Sequence, residues 1–205
     1  LGHWFAYQAA HPDLALDGAV GHSLVVVAAL TAAGAISVED SGRFVAARAK
    51  AFSDVCSKFP ELMGLAALST DFIDDWTEKI DSFPGVSLAL HNTVGRGVVG
   101  GTLAALETFS RHAAEQGWPV KLKILKVEGP YHTAAFEGAR APLHAALGQI
   151  KITAPKAPVF MGTSGKAETD RRASVSSSSS KPSRASATST PCAPLTPRVA
   201  GASLR

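Results

Sequence analysis

Between Gly64 and Val127 strand-like and helix-like stretches follow one another in a fixed order. Gly64 to Leu68 reads as a strand, and Asp71 to Ile80 has helical spacing with Thr70 or Asp71 as its cap. Val86 to His91 alternates with period two, and Gly97 to Gly101 forms another short strand. Thr102 to Gln116 returns to helical spacing, Gly117 closes it, and Val120 to Val127 alternates again. Period two places alternate side chains on one sheet face, whereas helical spacing gives one apolar stripe. The order β-α-β-β-α-β is the ferredoxin-like arrangement, in which two helices cover one face of a sheet. Residues 60–126 are therefore expected to form a ferredoxin-like subdomain.

The flanking sequence has the pattern of an α/β protein. Residues 1–10 are apolar and helical, with Trp4, Phe5 and Tyr7, until Pro12 and Asp13 break the pattern. Ala19-Val20 reads as a short strand leading into Gly21-His22-Ser23. A helix follows from Leu24, with Leu24, Val27, Ala28 and Leu30 expected on its buried face and Gly34 at its end. Ser37 and Asp40 resemble a capping box with Asp in place of Glu, opening a helix that runs to about Ser57. After Gly129-Pro130, helix is expected from about Ala134 to Leu147, and Val159-Phe160-Met161 is a strand candidate. Residues 1–59 and 127–170 thus read as one incomplete α/β, hydrolase-like core interrupted by the insert. From Arg171 the composition changes to Ser, Ala, Pro and Arg, with Ser176 to Ser180 in one run. Such a segment buries too little apolar surface to offset its ordering entropy, so 171–205 is expected to be a disordered, dispensable tail.

Composition removes several function classes. Of the 20 basic residues, six lie in 171–205 with no acid, which leaves 14 against 17 acidic residues before that point. The basic overall charge is therefore no argument for nucleic-acid binding. No apolar run approaches the ~20 residues of a membrane span. Cys56 and Cys192 form no CxxC pair and read as free thiols in a reducing, cytoplasmic setting. No HExxH or Cys/His cluster suggests a metal. Leu1 has no Met before it, so the chain is read as a fragment or as processed, and no secretory signal is expected.

Two segments carry chemistry. Gly21-His22-Ser23-Leu24 stands between a strand and a helix, where a serine on a sharp turn projects its hydroxyl. The Leu24 N–H at that helix start can stabilise an oxyanion. On the tetrapeptide alone, Ser23 reads equally well as a helix N-cap. The second segment is Gly129-Pro130-Tyr131-His132-Thr133, which places a histidine at a strand-to-helix junction. A hydrogen-bonded loop histidine is its bland reading. His22, His91 and His144 are weaker candidates for a base.

Taken together, the segments resemble the malonyl-CoA:acyl-carrier-protein transacylases and polyketide-synthase acyltransferase domains. Gly21 to Leu24, followed by Ala28-Ala29-Leu30 and Ala32-Ala33-Gly34-Ala35-Ile36, is similar to that family's GHSxGE region and its AAGAL turn. The similarity continues through Asp40 to Arg48. It resumes at His91-Asn92-Thr93 with Gly95 and Val98 to Gly101, and ends with Gly129 to Thr133 and Pro158-Val159. The resemblance implies that Ser23 accepts the acyl group and that His132 is its general base. It implies that Arg48 grips a malonyl carboxylate and that Leu24 and Asn92 lie at the substrate. The reaction it implies is ping-pong transfer of a malonyl or related acyl group from a CoA thioester to an acyl carrier protein. Malonyl-CoA is then a substrate, and no cofactor or metal is required. Neither a membrane nor a nucleic acid is an expected partner.

Three departures from the family pattern stand out. Val25 and Val26 replace its Gly-Glu, and a branched residue there is expected to distort the turn. The upstream strand and loop with the second oxyanion donor, and the family's final segment, have no counterpart. Gly129 to His132 also matches neither HAFH nor YASH, so the acyl group stays open. A serine esterase or thioesterase, and an inactive truncated transacylase, are the alternative readings.

Overall fold

The computed structural model describes residues 1–163 and 165–169. The expected tail at 171–205 lies outside the described residues. No helix among the described residues is long and apolar enough to cross a membrane.

The fold is a mixed α/β arrangement built on two sheets. One is a four-stranded antiparallel sheet of β2 (Met63–Ser69), β3 (Val86–Thr93), β4 (Arg96–Thr102) and β5 (Lys121–Ile124), in the order β3-β4-β2-β5. Helices α4 (Asp74–Ser82) and α5 (Leu103–Glu115) follow β2 and β4 in the chain. Alternation selects the packed face: Ala66, Leu68, Val86 and Val99 join Ile73, Ile80, Leu106 and Phe109 in one core. Thr102 caps α5 by accepting the Ala105 amide at 3.1 Å, as the Thr-initiated helix predicts.

The start of α4 differs from the sequence expectation. It begins at Asp74, with Ile73 as N-cap and no side-chain cap. The amides of Thr70 and Ile73 donate to Gly95 and Val94 in the β3–β4 hairpin, at 3.0 and 2.7 Å. Those bonds hold residues 70–73 against the hairpin and delay the helix.

The second sheet contains β1 (Ala19–Gly21), β6 (Val159–Met161) and β7 (Ala167–Glu168). β1 and β6 are parallel, and β7 returns antiparallel to β6. Helix α2 (Val25–Ala32) packs on this sheet through Ala29 and Leu30, together with Ala33, Ala35, Ile36, Ile152, Val159 and Met161. Of the expected buried face, Val27 and Leu30 are buried, whereas Leu24 is exposed and Ala28 only partly buried, and Ala29 and Ala33 join the packed side in their place. Leu24 is the N-cap of α2, ahead of the turns that cross the sheet.

Gly34, at φ 74°, turns the chain after α2, with the Ala35 amide bonded to the Leu30 carbonyl at 2.8 Å. Ser37 then caps α3 (Val38–Cys56) by accepting the Asp40 amide at 3.0 Å. The Asp40 carboxylate leaves the capping-box role. It accepts instead from Arg43 at 3.0 Å and from the Lys151 amide at 3.2 Å, tying α3 to the segment after α6. Thr31 and Ser41 join α2 to α3 through a buried hydroxyl pair.

The single helix expected over Ala134–Leu147 is two elements, a 3-10 helix at Ala134–Ala139 and α6 (Arg140–Gly148). Phe136 and Ala139, from the tighter turn, pack on Ala51 and Val55 of α3. The N-terminal helix α1 (Gly2–Ala10) buries no residue fully.

Candidate functional site

The geometry of β1 and α2 creates the first half of the site. Gly21 ends β1 so close to the helix that a Cβ there would lie 2.4 Å from the Val26 backbone. No side chain fits at that distance, so only glycine permits the crossing. Ser23 then takes φ 53°, a left-handed conformation that ordinary residues avoid. The strain turns the chain and leaves the Ser23 hydroxyl exposed. Val25 does not distort the turn: its side chain is exposed at 56%, and the close approach is met at Gly21. The amides of Val25, Val26 and Val27 donate to the carbonyls of His22, Ser23 and Leu24, each at 3.1 Å. The Leu24 amide has no backbone acceptor among the described residues and lies at the positive end of α2. Gly21→Ala is expected to lower stability by about 1–3 kcal/mol through overpacking. Chemical denaturation measures this.

The other half of the site comes from the segment after β5. Pro130 is fully buried. Its carbonyl accepts the Thr133 hydroxyl at 2.6 Å. Thr133 and Pro130 lie against Gly100 of β4, where a Cβ would meet Thr133 at 2.6 Å. The four-stranded sheet thus braces the loop from one side. His132 has φ 65°, the second strained non-glycine residue among those described. The two strained residues meet: Ser23 Oγ lies 2.8 Å from His132 Nε2 across 109 residues of sequence. With the imidazole proton on Nδ1, the Ser23 hydroxyl donates to Nε2.

The surroundings of His132 favour its neutral form. Atoms packed about the ring, then the Arg48 charge and His22, hold its pKa below the ordinary imidazole value. Arg48 projects from α3 and is half-buried, and burial lowers its own pKa. Its guanidinium carbon sits 4.1 Å above the centre of the Phe52 ring. The Arg48 guanidinium rests on Phe52, which stacks on Tyr131, the residue before His132.

Asn92 lies exposed at an irregularity in β3 between His91, paired with Gly97, and Thr93, paired with Arg96. Leu24 is present through its amide, while its side chain is 40% exposed. His22 is exposed beside the turn, His144 is exposed on α6, and His91 faces Asp74 at 3.6 Å.

Sequence reasoning missed the aromatic cluster that holds the loop. Phe52 stacks on Tyr131 with centroids 5.4 Å apart, and Phe136 lies 4.8 Å from Phe52 and 5.0 Å from Tyr131. The i, i+4 spacing of Arg48 and Phe52 was the available signal. A cavity of about 320 Å³ opens beside this cluster, between Cys56 and Glu128. It includes neither Ser23 nor His132, and burial, followed by the nearby Glu128 charge, pushes the Cys56 thiol pKa up, which lowers its thiolate fraction.

Residues 8–195 match the acyl transferase domain family. The chain belongs to that family. The match extends beyond residue 170, into the Ser-rich segment. The acyl transferase chain is 30% identical over 147 residues to an orsellinic acid synthase of Beauveria bassiana (strain ARSEF 2860), covering 71% of this chain and 7% of the synthase. Among solved structures it resembles FabD of Acinetobacter baumannii at 26% identity and a TM-score of 0.75. That alignment covers 86% of this chain and 56% of FabD. An acyl-carrier-protein S-malonyltransferase of Burkholderia pseudomallei 1710b aligns at 26% identity and a TM-score of 0.69, covering 83% and 56% of the two chains. The acyl transferase chain thus spans little more than half of these transferases and a small part of the synthase.

Proposed function

We propose that this chain transfers an acyl group from a CoA thioester to the phosphopantetheine thiol of an acyl carrier protein, with malonyl as the favoured acyl group. The observation that carries the reading is the 2.8 Å contact between Ser23 Oγ and His132 Nε2. A serine on a strained turn, a neutral imidazole within hydrogen-bond reach and a free helix-end amide are the parts of nucleophilic acyl transfer.

In the first half-reaction the Ser23 hydroxyl passes its proton to Nε2 while Oγ attacks the thioester carbonyl. The Leu24 amide stabilises the resulting oxyanion. The intermediate collapses to acyl-serine, and the proton on Nε2 leaves with the CoA thiol. In the second half-reaction His132 takes the proton of the carrier thiol. The thiolate attacks the acyl-serine, and the proton returns to Ser23 Oγ. Arg48 binds the free carboxylate of a malonyl group with charge-assisted hydrogen bonds. No cofactor enters these steps. The name of the similar acyl-carrier-protein S-malonyltransferase structure supports the acyl group and the acceptor. We read the unit from β2 to β5 as a ferredoxin-like subdomain set in a hydrolase-like core, on the grounds of its β-α-β-β-α-β order.

The test is intact-mass analysis after mixing with malonyl-CoA and quenching in acid. The expected result is a malonyl adduct that maps to Ser23 and disappears in Ser23→Ala. An adduct that persists in Ser23→Ala overturns the assignment.

A further inference from the structure

Phe52 stands between the Arg48 guanidinium and the loop that carries the base. We infer that Phe52 is a positioning residue, whose ring seats the Arg48 guanidinium and, by stacking on Tyr131, fixes that seat relative to His132.

The geometry has three parts. Arg48 and Phe52 are one helical turn apart on α3, so the side chain of one lies over the other. The Arg48 guanidinium carbon is 4.1 Å from the Phe52 ring centre, within reach of the ring's negative face. Phe52 and Tyr131 are nearly parallel, at 20° and 5.4 Å between centroids. Tyr131 precedes His132 directly, so the stack joins the helix bearing Arg48 to the backbone that holds the base. Phe136 closes the cluster against both rings.

The arrangement solves a physical problem for Arg48. Its side chain is half-buried, and no carboxylate among the described residues forms an ion pair with it. A carboxylate partner would compete with an anionic substrate for the guanidinium. An aromatic face attracts the cation and leaves its N–H groups free for a carboxylate. A flexible Arg without such a seat would lose more rotamer entropy on gripping substrate. The seat therefore pre-orders Arg48 without neutralising it.

The charged and titratable groups around this stack are few. His132 feels Arg48 and His22, and Tyr131 feels Cys56, Glu128 and Arg48. Loss of the seat lets Arg48 swing toward solvent. Its charge then acts less on His132, and the imidazole pKa rises.

The proposal rests on the acyl-transfer reading, and its test separates the two. Phe52→Leu keeps an apolar side chain in the cluster and removes the ring, while Phe52→Tyr keeps the ring. In the intact protein, malonyl and acetyl loading of Ser23 are compared by mass for each variant. Phe52→Leu is expected to reduce the malonyl-to-acetyl ratio roughly three- to tenfold, the scale of a partly desolvated cation–π contact, and Phe52→Tyr to restore it. NMR titration of His132 supplies a readout that needs no acyl donor: its midpoint should move up in Phe52→Leu and return in Phe52→Tyr. If Phe52→Leu proves unstable, Phe52→Met replaces it, filling similar space without a ring. An unchanged ratio and midpoint in a folded Leu or Met variant overturns the positioning role and leaves Phe52 as packing alone. Absence of any adduct on wild-type Ser23 overturns the acyl-transfer reading, and the titration then decides the Phe52 seat by itself.

Discussion

His132→Asn is expected to slow acyl-serine formation by roughly 10²–10⁴-fold, the range associated with a positioned general base. Asn is the informative replacement. His132 sits at φ 65°, and Asn tolerates that backbone better than Ala or any branched residue. The loop should therefore keep its path, held by the buried Pro130 and the Thr133–Pro130 bond at 2.6 Å. What is lost is the Nε2 acceptor 2.8 Å from Ser23 Oγ. Rapid-quench measurement of the first turnover, with thermal midpoints alongside, separates this loss from unfolding. A first-turnover rate equal to wild type would mean that another group takes the proton. His22 is then the group to examine, since it lies near enough to depress the His132 pKa.

The wild-type pH dependence follows from the same surroundings. Burial, the Arg48 charge and His22 all favour the neutral ring. A base with a depressed pKa stays deprotonated to lower pH than free imidazole. The acid limb of acylation should therefore lie below the ordinary histidine value of about 6.5.

Much of this site could be read from the sequence because two of its parts rest on local rules. A Gly-x-Ser between an apolar strand and an apolar helix fixes the turn at Ser23, and Gly129-Pro130 marks the break that precedes His132. Their meeting across 109 residues is not a local property, and no periodicity encodes it. The same division applies to the fold. The strands of the four-stranded sheet were visible because one face is buried and alternation records it. The start of α4 was misplaced because Thr70 and Ile73 spend their amides on the hairpin at Gly95 and Val94. The buried stripe of α2 was legible at Val27 and Leu30 but not at Leu24 and Ala28, because it depends on how the helix crosses β1 and β6. The role of Phe52 stayed hidden for a related reason: helical spacing shows that it can meet Arg48, but not that Tyr131 stacks on it.

Arg48→Ala is expected to slow malonyl loading of Ser23 about ten- to a hundredfold while changing acetyl loading far less. Malonyl-CoA carries a free carboxylate that acetyl-CoA lacks, and a partly buried charge needs a partner in place of water. A charge-assisted hydrogen bond contributes roughly 1.5–3 kcal/mol, which corresponds to one to two decades in rate. Arg48 can supply it because its guanidinium rests on Phe52 and its charge is felt at His132. The same charge disfavours imidazolium, so its removal should raise the His132 pKa and move the acid limb of acylation to higher pH. The two effects differ in donor dependence. The lost carboxylate contact penalises malonyl alone, whereas the shifted imidazole slows both donors, and only on the acid side. Measured well above the limb, acetyl loading should therefore equal or exceed wild type, since an unpaired cation has left the site. Measured below it, both donors should fall. Equal loss for both donors at high pH would make Arg48 structural and would place the carboxylate-binding group elsewhere.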